Sequence, residues 1–230
     1  MTTVAVLQPG FLPWLGFFDQ MKRSDVFVYY DDVQFDKHGW RNRNRIKTAN
    51  GVAWVTVPVR HGGLHGQSIL DTEIDQSKNW ARKLIATIKQ SYARSPHCAR
   101  YMEELEHAWC DDPPARLLDL DMRTTELMRK WLGIATPVMR SSELGIQGGQ
   151  TDRLVAICKH LKADTYLSGN AAKDYLQQDL FDAADISVVW QNYEHPIYPQ
   201  LHGEFVPFLS AIDLILNLGP ESGSVIRGQS

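Results

Sequence analysis

Two short, unbroken apolar runs near the start, Val4 to Leu7 and Val26 to Tyr30, constrain the fold more than any other feature of the chain. Continuous rather than alternating hydrophobicity marks strands covered on both faces, as in a parallel sheet. The interval from Gly10 to Arg23 is just long enough for a compact helical crossover between them. The same rhythm returns in the last third. Pro137 to Met139 reads as strand, Asp152 to Leu161 as helix, Asp164 to Leu167 as strand, Ala171 to Ala184 as helix, Ser187 to Trp190 as strand and Ser210 to Leu218 as a final helix. Alternation at both ends predicts an α/β fold with an open, mostly parallel sheet.

The middle is helical. Trp80, Leu84, Ile85, Ile88 and Tyr92 keep one helical face, Tyr101, Leu105 and Trp109 a second, and Leu117 to Trp131 a third. Pro96 and Pro113-Pro114 punctuate them. Residues 77–133 therefore read as a helical insertion that packs over the sheet and covers a site, with no constellation suited to chemistry of its own. Between the two regions, Val52 to Val59 alternates and carries Pro58, as a strand ending at an edge does. His61 to Gly63 reads as a turn and Ile69 to Ile74 as another strand. No repeat or low-complexity linker interrupts the chain, so residues 1–230 read as a single α/β domain.

Composition excludes several classes. With 43% hydrophobic residues in 230, the chain can bury a sizeable core. A net charge of -3 argues against nucleic acid, whose partners carry a basic excess. Cys98, Cys110 and Cys158 are odd in number, lack CxxC spacing and sit in helix-like segments, the pattern of buried thiols in a reducing compartment. Val4 follows Met1-Thr2-Thr3 without the basic start and apolar run of a signal peptide. No stretch approaches the ~20 apolar residues of a membrane span. A cytoplasmic location is expected.

Ligands of a parallel sheet bind beyond the carboxyl ends of its strands, so the turns there carry the functional reading. The first, Gln8-Pro9-Gly10-Phe11-Leu12-Pro13-Trp14-Leu15-Gly16, sets Gly10 for an unusual backbone angle, Pro13 for the helix entry and Gly16 for a close approach. A helix start there suits phosphate, or the aromatics merely pack. Asp31 and Asp32 end the second strand as candidates for Mg²⁺, or as a solvated turn. The segment Lys37 to Lys47 is the sharpest local composition. Along an extended chain Arg41, Arg43 and Arg45 would share one side and Asn42 and Asn44 the other, an arrangement for phosphate or carboxylate, with Lys47 beside it. Thr151 opens a helix after Gly148-Gly149, as a cap or an anion site. Ser168, Gly169 and Asn170 form a small-residue turn after a strand, with Lys173 placed to reach a phosphate. Glu194 and His195 lie just past the last strand as candidate acid–base groups. Four such turns after four strands predict one shared cleft.

The segments VLQPGFLPWLGFFDQM, DDVQF, WRNRNRIKT, TYLSGNAAKDYL, EHPIYPQ and SAIDLILNLGPES, in this order, resemble the WbqC-like proteins of bacterial surface-polysaccharide clusters. The family commonly has His before the Gln-Pro, where this chain has Leu7. The resemblance implies a role in O-antigen or related glycan synthesis, with glycine transfer as the suggested activity. The first turn also resembles, more faintly, the HUP-type HIGH-superfamily nucleotidyl transferases and pantothenate synthetase. Pro13 and Gly16 match their phosphate turn, while Trp14 and Phe17 stand near the expected histidines. Together these imply an ATP-dependent enzyme that joins an amino acid to an amino sugar. ATP would sit on the first turn and Ser168 to Lys173, Arg41 and Arg43 would clamp phosphates, Asp31 or Asp32 would hold Mg²⁺, and His195 or Glu194 would accept the amine proton. Two alternatives stand beside it: a transferase using a preactivated sugar nucleotide or acyl thioester, and a non-catalytic sugar-nucleotide-binding protein.

Overall fold

The computed structural model describes residues 1–60 and 66–226. The turn expected at His61 to Gly63 lies outside the described residues. Five strands form one sheet, all pairs parallel: β1 Thr3–Leu7, β2 Val26–Tyr29, β5 Val138–Arg140, β6 Thr165–Ser168 and β7 Ser187–Trp190, in the order β5-β2-β1-β6-β7. Between β2 and β5 the chain forms a separate antiparallel hairpin of β3 Arg43–Thr48 and β4 Gly51–Thr56.

Side chains of a strand alternate between faces, and both faces here are apolar. Val4, Val6, Val28 and Tyr166 join α6 (Gln150–His160) and α7 (Gln178–Asp182) in one core. Ala5, Phe27, Tyr29 and Leu167 enter a larger core. That core takes in α1 (Leu15–Arg23), the helices α2 (Trp80–Tyr92), α3 (Cys98–Glu106) and α4 (Leu117–Trp131), and α8 (Ala211–Leu218). Covering on both sides is why β1 and β2 read as unbroken apolar runs. Ser210 starts α8 by accepting the Ile212 N–H at 3.2 Å, and Gly219, at φ 58°, ends it.

Three expected elements differ. Ile69 to Ile74 is not a strand: the Thr72 hydroxyl donates to the Ser68 carbonyl and the Asp71 N–H to the Ser68 hydroxyl, so the side chains hold a turn. Isolated bridges pair Val59 with Ile74 and Glu73 with Arg116. The expected helix from Ala171 to Ala184 is split into a 3₁₀ turn, Asn170–Asp174, and α7, because the Gln177 N–H turns aside to the Thr151 hydroxyl at 3.3 Å. The strand expected over Val52 to Val59 ends at Thr56, before Pro58, and pairs with β3. Among the described residues no helix is long and apolar enough to cross a membrane, and Cys98, Cys110 and Cys158 are free.

Candidate functional site

Strand order reverses between β1 and β6: from β1 the chain builds outward through β2 to β5, then returns to the other side for β6 and β7. A crevice at such a switch point is where open α/β sheets bind ligands. A cleft of about 880 Å³ lies there, lined by Leu7 and Gln8 at the end of β1 and by Ser168, Gly169 and Asn170 at the end of β6.

The first turn is braced from below rather than left open. The Phe11 N–H donates to the Trp40 and Arg41 carbonyls at 3.3 and 3.0 Å, and Asn44 Nδ2 donates to the Phe11 and Leu12 carbonyls at 3.2 and 2.8 Å. The unusual angle expected at Gly10 falls instead on Leu12, at φ 46°. Gly10 serves a close approach: a Cβ there would lie 2.9 Å from the Trp40 carbonyl oxygen. Gly16 likewise admits the indole of Trp14, which would meet a Cβ at 2.2 Å. Trp14 then stands at the cleft wall, edge-on to Tyr193 at 5.2 Å and beside Phe208 at 5.8 Å.

The charged side chains lining the cleft are Arg41 and Arg45; no carboxylate, imidazole or lysine is among the described residues that line it. Arg41 is held by the Pro9 carbonyl at 2.8 Å, and Arg45 by the Phe208 carbonyl at 3.1 Å and the ring of Trp40 at 5.4 Å. Burial pushes the Arg41 guanidinium below its ordinary value, against the buried Asp121 that pulls it back. Asp121 itself is fully buried, with neither oxygen bonded, and burial pushes its carboxyl well above the usual range.

Sequence reasoning missed the cleft's amide pair, Gln20 and Gln191. Gln191 Nε2 donates to the Gly16 carbonyl at 2.7 Å and to Asp19 Oδ2 at 2.8 Å, which fixes its oxygen as acceptor for Gln20 Nε2 at 2.8 Å. Gln20 Oε1 is then a buried acceptor without a donor, on a residue only 3% exposed. Gln20 follows Asp19 in the segment GFFDQM, where two adjacent polar residues read as a solvent face and give no local sign of the pair.

Gln8, Gly10, Trp14, Arg41, Asn44, Thr151, Ser168, Gly169 and Asn170 thus meet in the cleft. The remaining candidates lie elsewhere. Pro9 and Gly16 contribute carbonyls beneath it. Asn42 donates to the Val57 carbonyl at 2.8 Å, and Arg43 lies over the Trp54 ring at 4.6 Å. Lys47 is buried, its ammonium bonded to Gln200 and to the Gly203 and Glu204 carbonyls. Lys173 sits over Trp190 at 5.4 Å, and Glu194 is exposed. His195 packs among Tyr198, Phe205 and Phe208, and burial lowers its pKa, which keeps the ring neutral near pH 7.

The two acids are engaged. Asp31 accepts from Arg140 Nε, the Ser141 hydroxyl, and the N–H and hydroxyl of Ser142, at 2.7 to 3.0 Å. Asp32 shares the Ser141 hydroxyl proton with Asp31, at 2.6 Å, and accepts from Arg153 at 2.5 Å. They tie β2 to β5, α5 (Ser141–Leu144) and α6. Among the described residues no group of three or more His, Cys, Asp or Glu side chains could hold a metal ion.

Comparison with known proteins gives a consistent result. The WbqC-like protein family matches residues 8–225. Uncharacterized protein Rv1507c of Mycobacterium tuberculosis is 36% identical over 228 residues, which span 99% of this chain and 98% of that one. No solved structure matches the chain.

Proposed function

The chain belongs to the WbqC-like protein family, and from that premise we propose that its cleft binds a nucleoside triphosphate and activates a small carboxylic acid, glycine foremost, for transfer to an amino sugar of a surface-glycan precursor. The observation that carries this reading is the charge of the cleft. In a chain of net charge -3, its charged lining is two arginines and no acid. Such a site concentrates anions, and guanidinium forks suit phosphate and carboxylate.

The residues fit the proposed ligand. Trp14, Trp40, Tyr193 and Phe208 offer aromatic faces for a base. The unpartnered Gln20 Oε1 requires an N–H or O–H donor, which an adenine amino group supplies. Mg²⁺ would be held by phosphate oxygens and water, because Asp31 and Asp32 are already bonded.

The activation step asks only for what the cleft contains. The carboxylate oxygen bonds to the α-phosphorus and pyrophosphate leaves; the acid is already ionised at neutral pH, so no base is needed. Positioning and charge neutralisation suffice, and Arg41 and Arg45 supply both. In the transfer step the amine bonds to the carbonyl carbon, the nucleoside monophosphate leaves, and a proton is released. The described lining offers no carboxylate, imidazole or lysine to take that proton, so the activation half is the better supported. The same gap favours, as a second reading, a non-catalytic sugar-nucleotide-binding protein.

The test is ATP–pyrophosphate exchange with Mg²⁺, scanning single amino acids. Exchange that depends on one amino acid supports activation and identifies the donor. No exchange with any of them, by folded protein that binds ATP, overturns activation and leaves the binding-protein reading.

A further inference from the structure

The Trp40 to Arg45 segment lines two cavities rather than one. Beside the cleft lies a groove of about 800 Å³, lined by Lys37, Asn42, Arg43, Arg60, Asp75 and Lys78, together with Thr56 to Val59. It shares no lining residue with the cleft.

Two independent features point to a ligand. The first is charge: four cations line the groove against one acid, Asp75. Arg60 is partly engaged by Glu73 at 3.0 Å, a pair exposed on both members, and the exposed Lys78 stands 4.0 Å from the part-buried Asp75. Exposed pairs of this kind are weak and readily exchanged for a better anion. The second is a buried acceptor. Asn42 Nδ2 donates to the Val57 carbonyl, which can only accept, so the other amide atom is the oxygen. That oxygen is buried without a partner, on a side chain only 7% exposed. An unpartnered buried acceptor destabilises the fold that holds it, and a bound donor would remove that cost.

A ligand that satisfies both features carries a strong anion and a neighbouring hydroxyl. We propose that this groove is a second binding site, separate from the cleft, for a phosphate ester of a polyhydroxy compound, the sugar phosphate class. Its anion meets Lys37, Arg43, Arg60 and Lys78, and one of its hydroxyls donates to Asn42 Oδ1. The assignment stands on this groove alone and does not require a nucleotide in the cleft.

Glucose 1-phosphate, titrated calorimetrically into the full chain, is the probe. The expected result is saturable binding of one equivalent, with inorganic sulfate, which has no donor at neutral pH, at least about tenfold weaker. Lys37→Glu combined with Lys78→Glu changes two exposed side chains and should weaken glucose 1-phosphate by at least about tenfold. Arg41→Ala, in the cleft, should leave it unchanged. Three outcomes overturn the proposal: no saturable binding, sulfate binding as tightly as the sugar phosphate, or binding lost with Arg41→Ala and kept in the double lysine variant.

Discussion

Replacing Asp31 with alanine separates a structural carboxylate from a metal ligand. Asp31 has no exposed surface, and its two oxygens accept four hydrogen bonds, from Arg140, Ser141 and two groups of Ser142. Asp31 is the buried member of its pair with the part-exposed Arg140, and removing it strands the donors of Arg140, Ser141 and Ser142 together, which costs about 3–5 kcal/mol. For a chain of this size each kcal/mol moves Tm by about 2–4 °C, so Asp31→Ala should melt about 6–20 °C lower. The loss should be sub-additive with Arg140→Ala, since once either partner has gone less remains to strand. Burial alone would raise the Asp31 carboxyl, but the bonds from Ser142, Arg140 and Ser141 outweigh it and hold the pKa below the ordinary value. The folded state therefore prefers the charged form. Its contribution is present above about pH 3.9 and is lost as pH falls further. Thermal unfolding followed by circular dichroism, with and without Mg²⁺, reads all of this. The reasoning is refuted if the variant melts within about 2 °C of the parent. It is equally refuted if Mg²⁺ stabilises the parent and not the variant, which would make Asp31 a metal ligand.

Two further substitutions probe the ground around the cleft. Gly16→Ala gains about 1 kcal/mol in helix propensity but drives a methyl group into the Trp14 indole, an overpacking that costs about 1–3 kcal/mol. It should shift the near-ultraviolet tryptophan signal and leave stability at or below the parent's in a denaturant titration. Asp121→Asn removes a carboxyl whose folded pKa burial raises. The parent should lose stability as pH rises above about 3.9, by up to about 1.4 kcal/mol per pH unit from this group, while the variant lacks that share of the slope. Parallel slopes for the two proteins would show that Asp121 is not the protonated group.

The centre of the sheet was legible because its strands are buried on both faces: Val4 to Leu7 and Val26 to Tyr29 leave no polar face to confuse the reading. The hairpin was harder. Arg43 to Thr48 is polar by composition, yet Asn44 and Lys47 are buried through bonds to distant groups, which no local pattern reveals. The extended reading of Arg41 to Arg45 set Asn42 and Asn44 opposite the arginines, without showing that both would be buried. It could not show that Arg43 would face a second groove while Arg41 and Arg45 face the cleft. Gln20 and Gln191 were illegible for the same reason. Their importance lies in an amide pair spanning 171 residues. Lys47, Asp31 and Asp32 show the converse, charged residues that read as ligand-binding and are consumed by internal bonds.

The central claim is that the arginines of the cleft bind a nucleoside triphosphate. Calorimetric titration of ATP into the parent, Arg41→Ala and Arg45→Ala proteins, each shown to be folded, tests it most directly. The account predicts saturable binding to the parent, weakened by at least about tenfold in both variants, as expected where a charge-assisted bond worth about 1.5–3 kcal/mol is lost. Undetectable binding to the folded parent, or equal affinity in all three, would contradict it.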